Sequence, residues 1–394
     1  MVEFDEFLAV FEGMGFADPV VGLVLVAILA LAIFIVILIP ILKPIILDIA
    51  PFAYPNARIR AMESKLIPKT KLEEMIEVSS VVDVLGYLEG TDYEAQLAKI
   101  RGSAEEASSI EVALYESRKD SYQRMISIAP DSIKGVFSAR FKLYEVKLLK
   151  SVLRSLHAGV PLEHSLAEVP VVGNLDVESL FSLQSTEEFL SKIEDTEYGA
   201  ALAESIAIYS DKKDVQPIEM ALDKFAYEKL WNMIRTVSEQ NIKALKFFFG
   251  TEVDAINLRT IMRAKADGLS LDQIKDYILP MGYELNMDTL NSLADMPDVE
   301  GIVSMLEGKK CGLALEEAVQ KYEATKSIIP LEMALEAHVA QTGRNVSVSQ
   351  PFGIGPFVGY LCNKDVEVRN LRAIIRGIEA GASKDMIKDM LVTV

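Results

Sequence analysis

Two arginines four positions apart, Arg259 and Arg263, return 113 residues later as Arg372 and Arg376. Residues spaced by four share one face of a helix. A guanidinium is a planar fork of donors suited to carboxylates, so each pair could grip an acid or a docked partner. An acid precedes each pair at the same place, Asp254 and Glu367, with Glu145 in a weaker copy. Asn257 and Asn370 stand two residues before the first arginine of each pair. Asn56 stands in the same relation to Arg58, with Arg60 beyond it. Because the pattern recurs, it suits an architectural role, with arginines pairing to acids on adjacent units and locking the repeats together. The other reading is a shared inner surface on which some of them touch a partner.

Little else in the chain has the makings of catalysis. It holds three histidines and two cysteines. His157 and His164 are seven apart, but Pro161 lies between them, and they read as incidental rather than as a metal pair. Cys311 stands where other copies of its segment carry Tyr93 and Tyr198, so it reads as core filler. Cys362 has no CxxC partner. There is no GxxxxGK[ST] run, and Gly353, Gly355 and Gly359 do not follow a strand, so nucleotide-binding loops are absent. No catalytic residue, cofactor or metal is expected. The formal charge of −18, from 40 basic and 58 acidic residues, argues against a nucleic-acid partner, which needs a basic footprint.

The elements that carry these residues read as helix throughout. Ile218-Glu219-Met220-Ala221-Leu222 returns as Leu331-Glu332-Met333-Ala334-Leu335 at the same offset of 113, and more faintly upstream as Ile110-Glu111-Val112-Ala113-Leu114. A second element, Leu88-Glu89-Gly90-Thr91-Asp92-Tyr93, matches Ile193 to Tyr198 and Leu306 to Cys311. Gly268 and Gly381 each follow their arginine pair and suit helix C-caps. The fold class is therefore all-α, with three similar helical units of about 110 residues. Expected boundaries are 52–140, 141–245 and 246–364, with a closing half-unit at 365–394 that would cover the last full unit. Each unit is expected to open on an Asn-x-Arg helix, the first at Asn56. Periodicity leaves open whether the units stack as a solenoid or close around a pseudo-threefold axis. Residues 351–359, rich in Gly and Pro, read as a rigid turn or hinge.

Ahead of the repeats, residues 19–42 carry no charge. A helix of that length extends ~36 Å, enough for a hydrocarbon core of about 30 Å. Acids precede it, in segment 1–18, and Lys43, Arg58, Arg60 and Lys65 follow it. The positive-inside rule puts the body in the cytoplasm and the N-terminus outside, with membrane lipid around the span. A cleaved signal peptide fits poorly, because no basic n-region precedes the run. Pro40 and Pro44 would bend or stop the helix as it leaves the bilayer.

Taken together, these residues resemble the C-subunit family of archaeal-type (A-type) and V/A-type rotary ATPases, equivalent to the d subunit of the V-type enzyme. The resemblance is carried by Tyr54-Pro55-Asn56-Ala57-Arg58-Ile59-Arg60-Ala61-Met62-Glu63-Ser64-Lys65-Leu66, by Glu252-Val253-Asp254-Ala255-Ile256-Asn257-Leu258-Arg259, and by Glu367-Val368-Arg369-Asn370-Leu371-Arg372. It spans residues 52 to 394. It implies a funnel of three similar units in pseudo-threefold arrangement, without catalytic residues of its own. In that family the funnel sits on the proteolipid ring of the membrane rotor and receives the central stalk, made by the D and F subunits, and through it acts on the catalytic A and B subunits. The acidic charge would suit a socket for a basic shaft tip. One departure is the apolar segment, since typical members begin near the Asn-x-Arg helix and are peripheral. A tether beside the ring would obstruct rotation, so the helix is expected to pass through the lipid-filled lumen of the ring. Removal during maturation, or anchorage elsewhere, is the alternative. A rival reading of the whole chain is a membrane-tethered helical-repeat scaffold for another cytoplasmic protein.

Overall fold

The computed structural model describes residues 19–44, 46, 49–100, 107–160, 177–268 and 271–392. Its contacts divide the chain into two units, Met1–Ala53 and Tyr54–Val394. The acids of 1–18, Pro161 and His164 lie outside the described residues.

The first unit holds α1 (Pro19–Pro44), which runs through Pro40 and stops at Pro44. Within it, Val24–Lys43 is long and apolar enough to cross a membrane, and that stretch buries nothing against protein.

The second unit is helical, with no strand among the described residues. After α2 (Ala53–Glu63) come six long helices: α3 (Ala107–Ile128), α4 (Asp131–Ala158), α5 (Gln216–Ile234), α6 (Glu239–Ala266), α7 (Ile329–Ser349) and α8 (Gly355–Glu379). In α6 the apolar residues Leu245, Phe249, Val253, Leu258, Ile261 and Met262 are fully buried and recur at helical spacing. The ends of α4, α6 and α8 share one device. Gly159, Gly268 and Gly381 take φ of +66°, +75° and +65°, a left-handed turn that costs glycine nothing because it has no Cβ.

Packing links the six helices in a closed circuit. α4 lies on α5, α6 on α7, α7 on α8, and α8 on α3, while α3–α4 and α5–α6 meet at their joints. Shorter helices cover one face of each packed pair. Thr186–Glu194 and Gly199–Lys212 lie on α4 and α5, and Val299–Met305 and Lys310–Thr325 lie on α6 and α7. The equivalent layer on α8 and α3 includes Lys69–Ile76, Val81–Leu88 and Glu94–Leu97.

Two expectations change here. The C-terminal helix does not simply cover the last unit: Val368, Leu371, Ile374 and Ile375 enter the same core as Met75, Val84, Leu88, Ile110 and Leu114. Those N-terminal elements lack a long helix of their own on that side, and α8 supplies it, much as Leu258, Ile261 and Met262 of α6 serve the core of residues 255–335. Residues 351–359 are also not one hinge. Only 351–354 form a turn, and α8 begins at Gly355 with Pro356 in its first turn, where a missing N–H is harmless.

Burial along α4, α6 and α8 is asymmetric. No residue is exposed over 136–146, 247–260 or 353–375, whereas Arg154, Arg263 and Arg376 near the C-terminal ends are exposed. The three helices therefore converge along these stretches, which take in the N-terminal half of α4, the middle of α6 and most of α8, and leave one face less covered beyond. Contacts across the convergence confirm it: Phe137 lies 5.6 Å from Phe357, Arg140 Nη2 donates to Glu252 Oε1 at 2.8 Å, and the Tyr144 hydroxyl donates to Asp365 at 2.7 Å.

Candidate interaction surface

The repeated arginines lie on that uncovered face, and each reaches the glutamate of the Ile/Leu-Glu-x-Ala-Leu helix packed beside it. Arg154 Nε donates to Glu219 Oε1 at 2.6 Å, and Arg263 Nη2 to Glu332 Oε2 at 2.8 Å. Arg376 grips Glu111 with Nε and Nη2, both at 2.9 Å, and Arg372 shares that carboxylate at 3.2 Å. The carboxylates sit beneath and the guanidinia above: side-chain exposure is 2% for Glu111 against 45% for Arg376. Hydrogen bonds donated to these carboxylates hold Arg154, Arg263 and Arg376 above the usual guanidinium range. One turn earlier, Lys150 pairs with Asp223 and Arg259 with Glu336, while Arg372 lies over the Tyr115 ring at 5.0 Å. Acids on adjacent units are the expected partners. Arg154 and Arg263 instead find theirs within their own expected unit, whereas Arg372 and Arg376 of the closing segment reach Glu111 of the first unit. Asp254, Glu367 and Glu145 are engaged elsewhere.

Those three acids point into the cores. Glu145 accepts from Lys142 Nζ at 2.8 Å and from the Tyr198 hydroxyl at 2.6 Å. Glu367 accepts from Lys364 Nζ at 2.7 Å and from the Tyr93 hydroxyl and the Ile67 amide, each at 2.5 Å. The third copy is degenerate: Asp254 accepts the backbone amides of Tyr283, Glu284 and Leu285, and Cys311 replaces the tyrosine. Burial, with the paired glutamate, pushes the Tyr93 and Tyr198 hydroxyls well up, and burial pushes the Cys311 thiol to about 12. Cys311 is 2% exposed, as expected of core filler.

Asn257 and Asn370 act identically. Each exchanges two hydrogen bonds with the backbone of the residue 22 positions on, Leu279 and Val392, at 2.8 to 2.9 Å. Asn56 does something different. Its amide donates to Gly353 O at 3.1 Å and Pro351 O at 3.5 Å, tying α2 to the turn before α8. It is therefore not the first copy of the Asn257 clamp. Arg60 pairs with Glu63 at 2.8 Å, and Arg58 is exposed with no ion pair among the described residues.

Where α3, α4, α6 and α8 converge, the structure adds a cluster that no repeated motif marks in the sequence. Asp365 accepts from the hydroxyls of Tyr144 and Tyr122 and lies 3.6 Å from Arg118 and 3.7 Å from Arg140. Arg118, Arg140 and Lys147 stand 4.6, 5.0 and 5.4 Å from the centre of the Tyr144 ring. Burial works against the charge of Arg118 and Arg140, yet the surrounding tyrosines and acids outweigh it and hold both up. Lys147 makes no ion pair among the described residues, and burial followed by Arg140 pushes its ammonium down to about 8 against the weaker pull of Glu252 and Asp365. Its side chain is nonetheless exposed, so the downward push is weaker than for a sealed lysine. Both facts fit a side chain on a concave wall. The repeats differ here, with Leu143, Glu252 and Asp365 at matching positions, which is why the periodicity does not betray the cluster.

The family described as ATP synthase (C/AC39) subunit matches residues 55–390, the span that holds all of this geometry. The chain belongs to that family. The A-type ATP synthase C subunit of Methanothermobacter thermautotrophicus is 37% identical over 360 residues, covering 90% of this chain and 91% of the relative. That of Methanocaldococcus jannaschii is 35% identical, covering 88% of each. The C subunit of Methanosphaera stadtmanae is 30% identical over 383 residues, 96% of this chain. The last alignment leaves fewer residues unmatched than the 26 of α1, so it takes in part of that helix. As a family member the chain is a non-catalytic subunit of a rotary ATP synthase, a membrane-associated complex.

Proposed function

We propose that this chain is the central-stalk (rotor) coupling subunit of an A-type ATP synthase. The uncovered face between α4, α6 and α8 forms a socket for the end of the stalk made by the D and F subunits. The end where these helices converge rests on the proteolipid ring, so that ion-driven rotation reaches the catalytic A and B subunits. The observation that carries the reading is the contrast between 136–146, 247–260 and 353–375, where no residue is exposed, and the exposed turns of Arg154, Arg263 and Arg376 beyond them. A repeat closed on itself and stiffened by buried ion pairs suits a part that must transmit torque without slipping. Tyr115 stands where Asp223 and Glu336 serve the other repeats, so the wall is less acidic beside α8 than beside α4 and α6.

The body lies on the cytoplasmic side with the N-terminus outside, and α1 passes through the lumen of the ring, where it turns with the rotor. Support for this comes from the length of the apolar span, the absence of charge over residues 19–42 and the basic residues that follow it. The deciding experiment is purification of the C-terminally tagged chain from native membranes in mild detergent. Stoichiometric proteolipid, D and F are expected, whereas a preparation free of all three beside an intact ATPase would refute the assignment. Crosslinks from residues 20–42 to the outer face of the ring would refute the lumen path alone.

A further inference from the structure

The geometry points to an oxyanion-binding site at the convergence of α3, α4 and α8, built by Arg118, Arg140 and Lys147 around the Tyr144 ring. Its ligand is a carboxylate or phosphate group. Arg118 has five N–H donors and makes no hydrogen bond among the described residues. Its side chain is only 12% exposed, held over the Tyr115 and Tyr144 rings and 3.6 Å from Asp365. Lys147 adds three donors and lies 5.4 Å from the centre of the same tyrosine ring, with no hydrogen bond or ion pair among the described residues. Arg140 spends one nitrogen on Glu252, and its Nε is buried without a hydrogen-bond partner among the described residues.

Resident carboxylates answer this demand only in part. Both oxygens of Asp365 accept from the Tyr122 and Tyr144 hydroxyls and Glu252 Oε1 accepts from Arg140, while Glu252 Oε2 is buried with no hydrogen bond among the described residues. Three cations thus face two acids, of which only Glu252 keeps a free oxygen. Leaving donors unsatisfied in a largely enclosed place is costly, and a bound oxyanion relieves that cost with charge-assisted bonds. Burial, and after it Arg140, push the Lys147 ammonium down, and an oxyanion beside it would offset both. Lys147 remains open to solvent, which gives the ligand a way in.

Two sources supply the same chemistry: a side-chain or terminal carboxylate at the tip of the docked stalk, or free phosphate. The first rests on the socket reading above, and the second does not. The test uses the full chain in detergent, with thermal unfolding followed against inorganic phosphate at constant ionic strength. In parallel, affinity for the purified D–F stalk is measured with and without phosphate. Lys147→Met is the informative variant because it breaks no ion pair, Lys147→Arg is the conservative rescue, and Lys243→Met is the control. The expected result is phosphate stabilisation of wild type that weakens about tenfold in Lys147→Met and returns in Lys147→Arg. Matching loss of stalk affinity, with phosphate competing, would assign the ligand to the stalk. Unchanged stalk affinity beside the phosphate effect would assign it to the free anion. Wild type, Lys147→Met and Lys243→Met responding alike to phosphate and stalk would overturn the site, leaving the donors to water. If wild type binds no stalk but passes the phosphate arm, the socket reading fails and the site stands.

Discussion

Arg376 and Glu111 lie 265 positions apart in sequence and are joined by two parallel hydrogen bonds of 2.9 Å, so the last long helix is fastened to the first. The pair is asymmetric, with a buried carboxylate under a half-exposed guanidinium. Removing the arginines strands the acid, while removing the acid frees the arginines to water. The double change Arg372→Ala/Arg376→Ala should therefore destabilise the body by about 2–4 kcal/mol. Glu111→Gln should cost about 1 kcal/mol, since exposed guanidinia are well screened. Thermal or denaturant unfolding of both variants measures the difference, and equal costs would show that Glu111 is not effectively buried.

The two buried Lys–Glu–Tyr sets predict matching responses at distant places. Tyr93→Phe and Tyr198→Phe each remove one hydroxyl donor to a buried glutamate, Glu367 and Glu145. Each should cost about 1.5–3 kcal/mol, the range for a hydrogen bond to a charged group. Cys311→Ser, at the equivalent place over Asp254, changes a side chain that carries no such lysine. It should cost less than either tyrosine change in the same unfolding assay.

The clamps at Asn257 and Asn370 satisfy buried backbone groups of Leu279 and Val392. Leucine fits this place in a helix, as Leu148 does at the matching position of α4. In Asn257→Leu, however, one buried N–H and one buried C=O lose their partners, at about 1–3 kcal/mol each. Amide exchange at Leu279 should accelerate in that variant, and exchange at Val392 should not. Acceleration at both sites would mean that the two clamps unfold as one unit.

Much of this architecture was legible because both members of each contact repeat. Arg263 and Arg376 recur with Glu332 and Glu111, so the periodicity carries the pairing as well as the helices. The glycines at 159, 268 and 381 were legible for a similar reason, since a left-handed cap leaves a mark in the residue type. Asn56 misled because three letters match while the surroundings do not: its carbonyl partners lie in the 351–353 turn. The placement of α8 in the first core was hidden because linear order suggests that a final segment caps its predecessor. Arg118, Arg140 and Asp365 were hidden because they meet where the copies face one another. At that point symmetry gives way to side chains found once only.

Asp254 sets two physical effects against each other. Three backbone amides favour its charged form, and burial at 2% exposure disfavours it. Burial wins, and the carboxyl is pushed up from its ordinary 3.8 to about 6. An acid whose pKa is raised on folding holds its proton in the native state over a window where the unfolded chain has lost it. Its contribution to stability is therefore complete below about pH 4 and is lost as pH rises through about 6, with no further change above. An asparagine side chain does not titrate, so the stability of wild type relative to Asp254→Asn should fall by about 3 kcal/mol between about pH 4 and pH 6.5. Urea unfolding of the two chains across that range measures it. A difference that grows with pH would mean that the amides of Tyr283, Glu284 and Leu285 outweigh burial, and that Asp254 is ionised throughout.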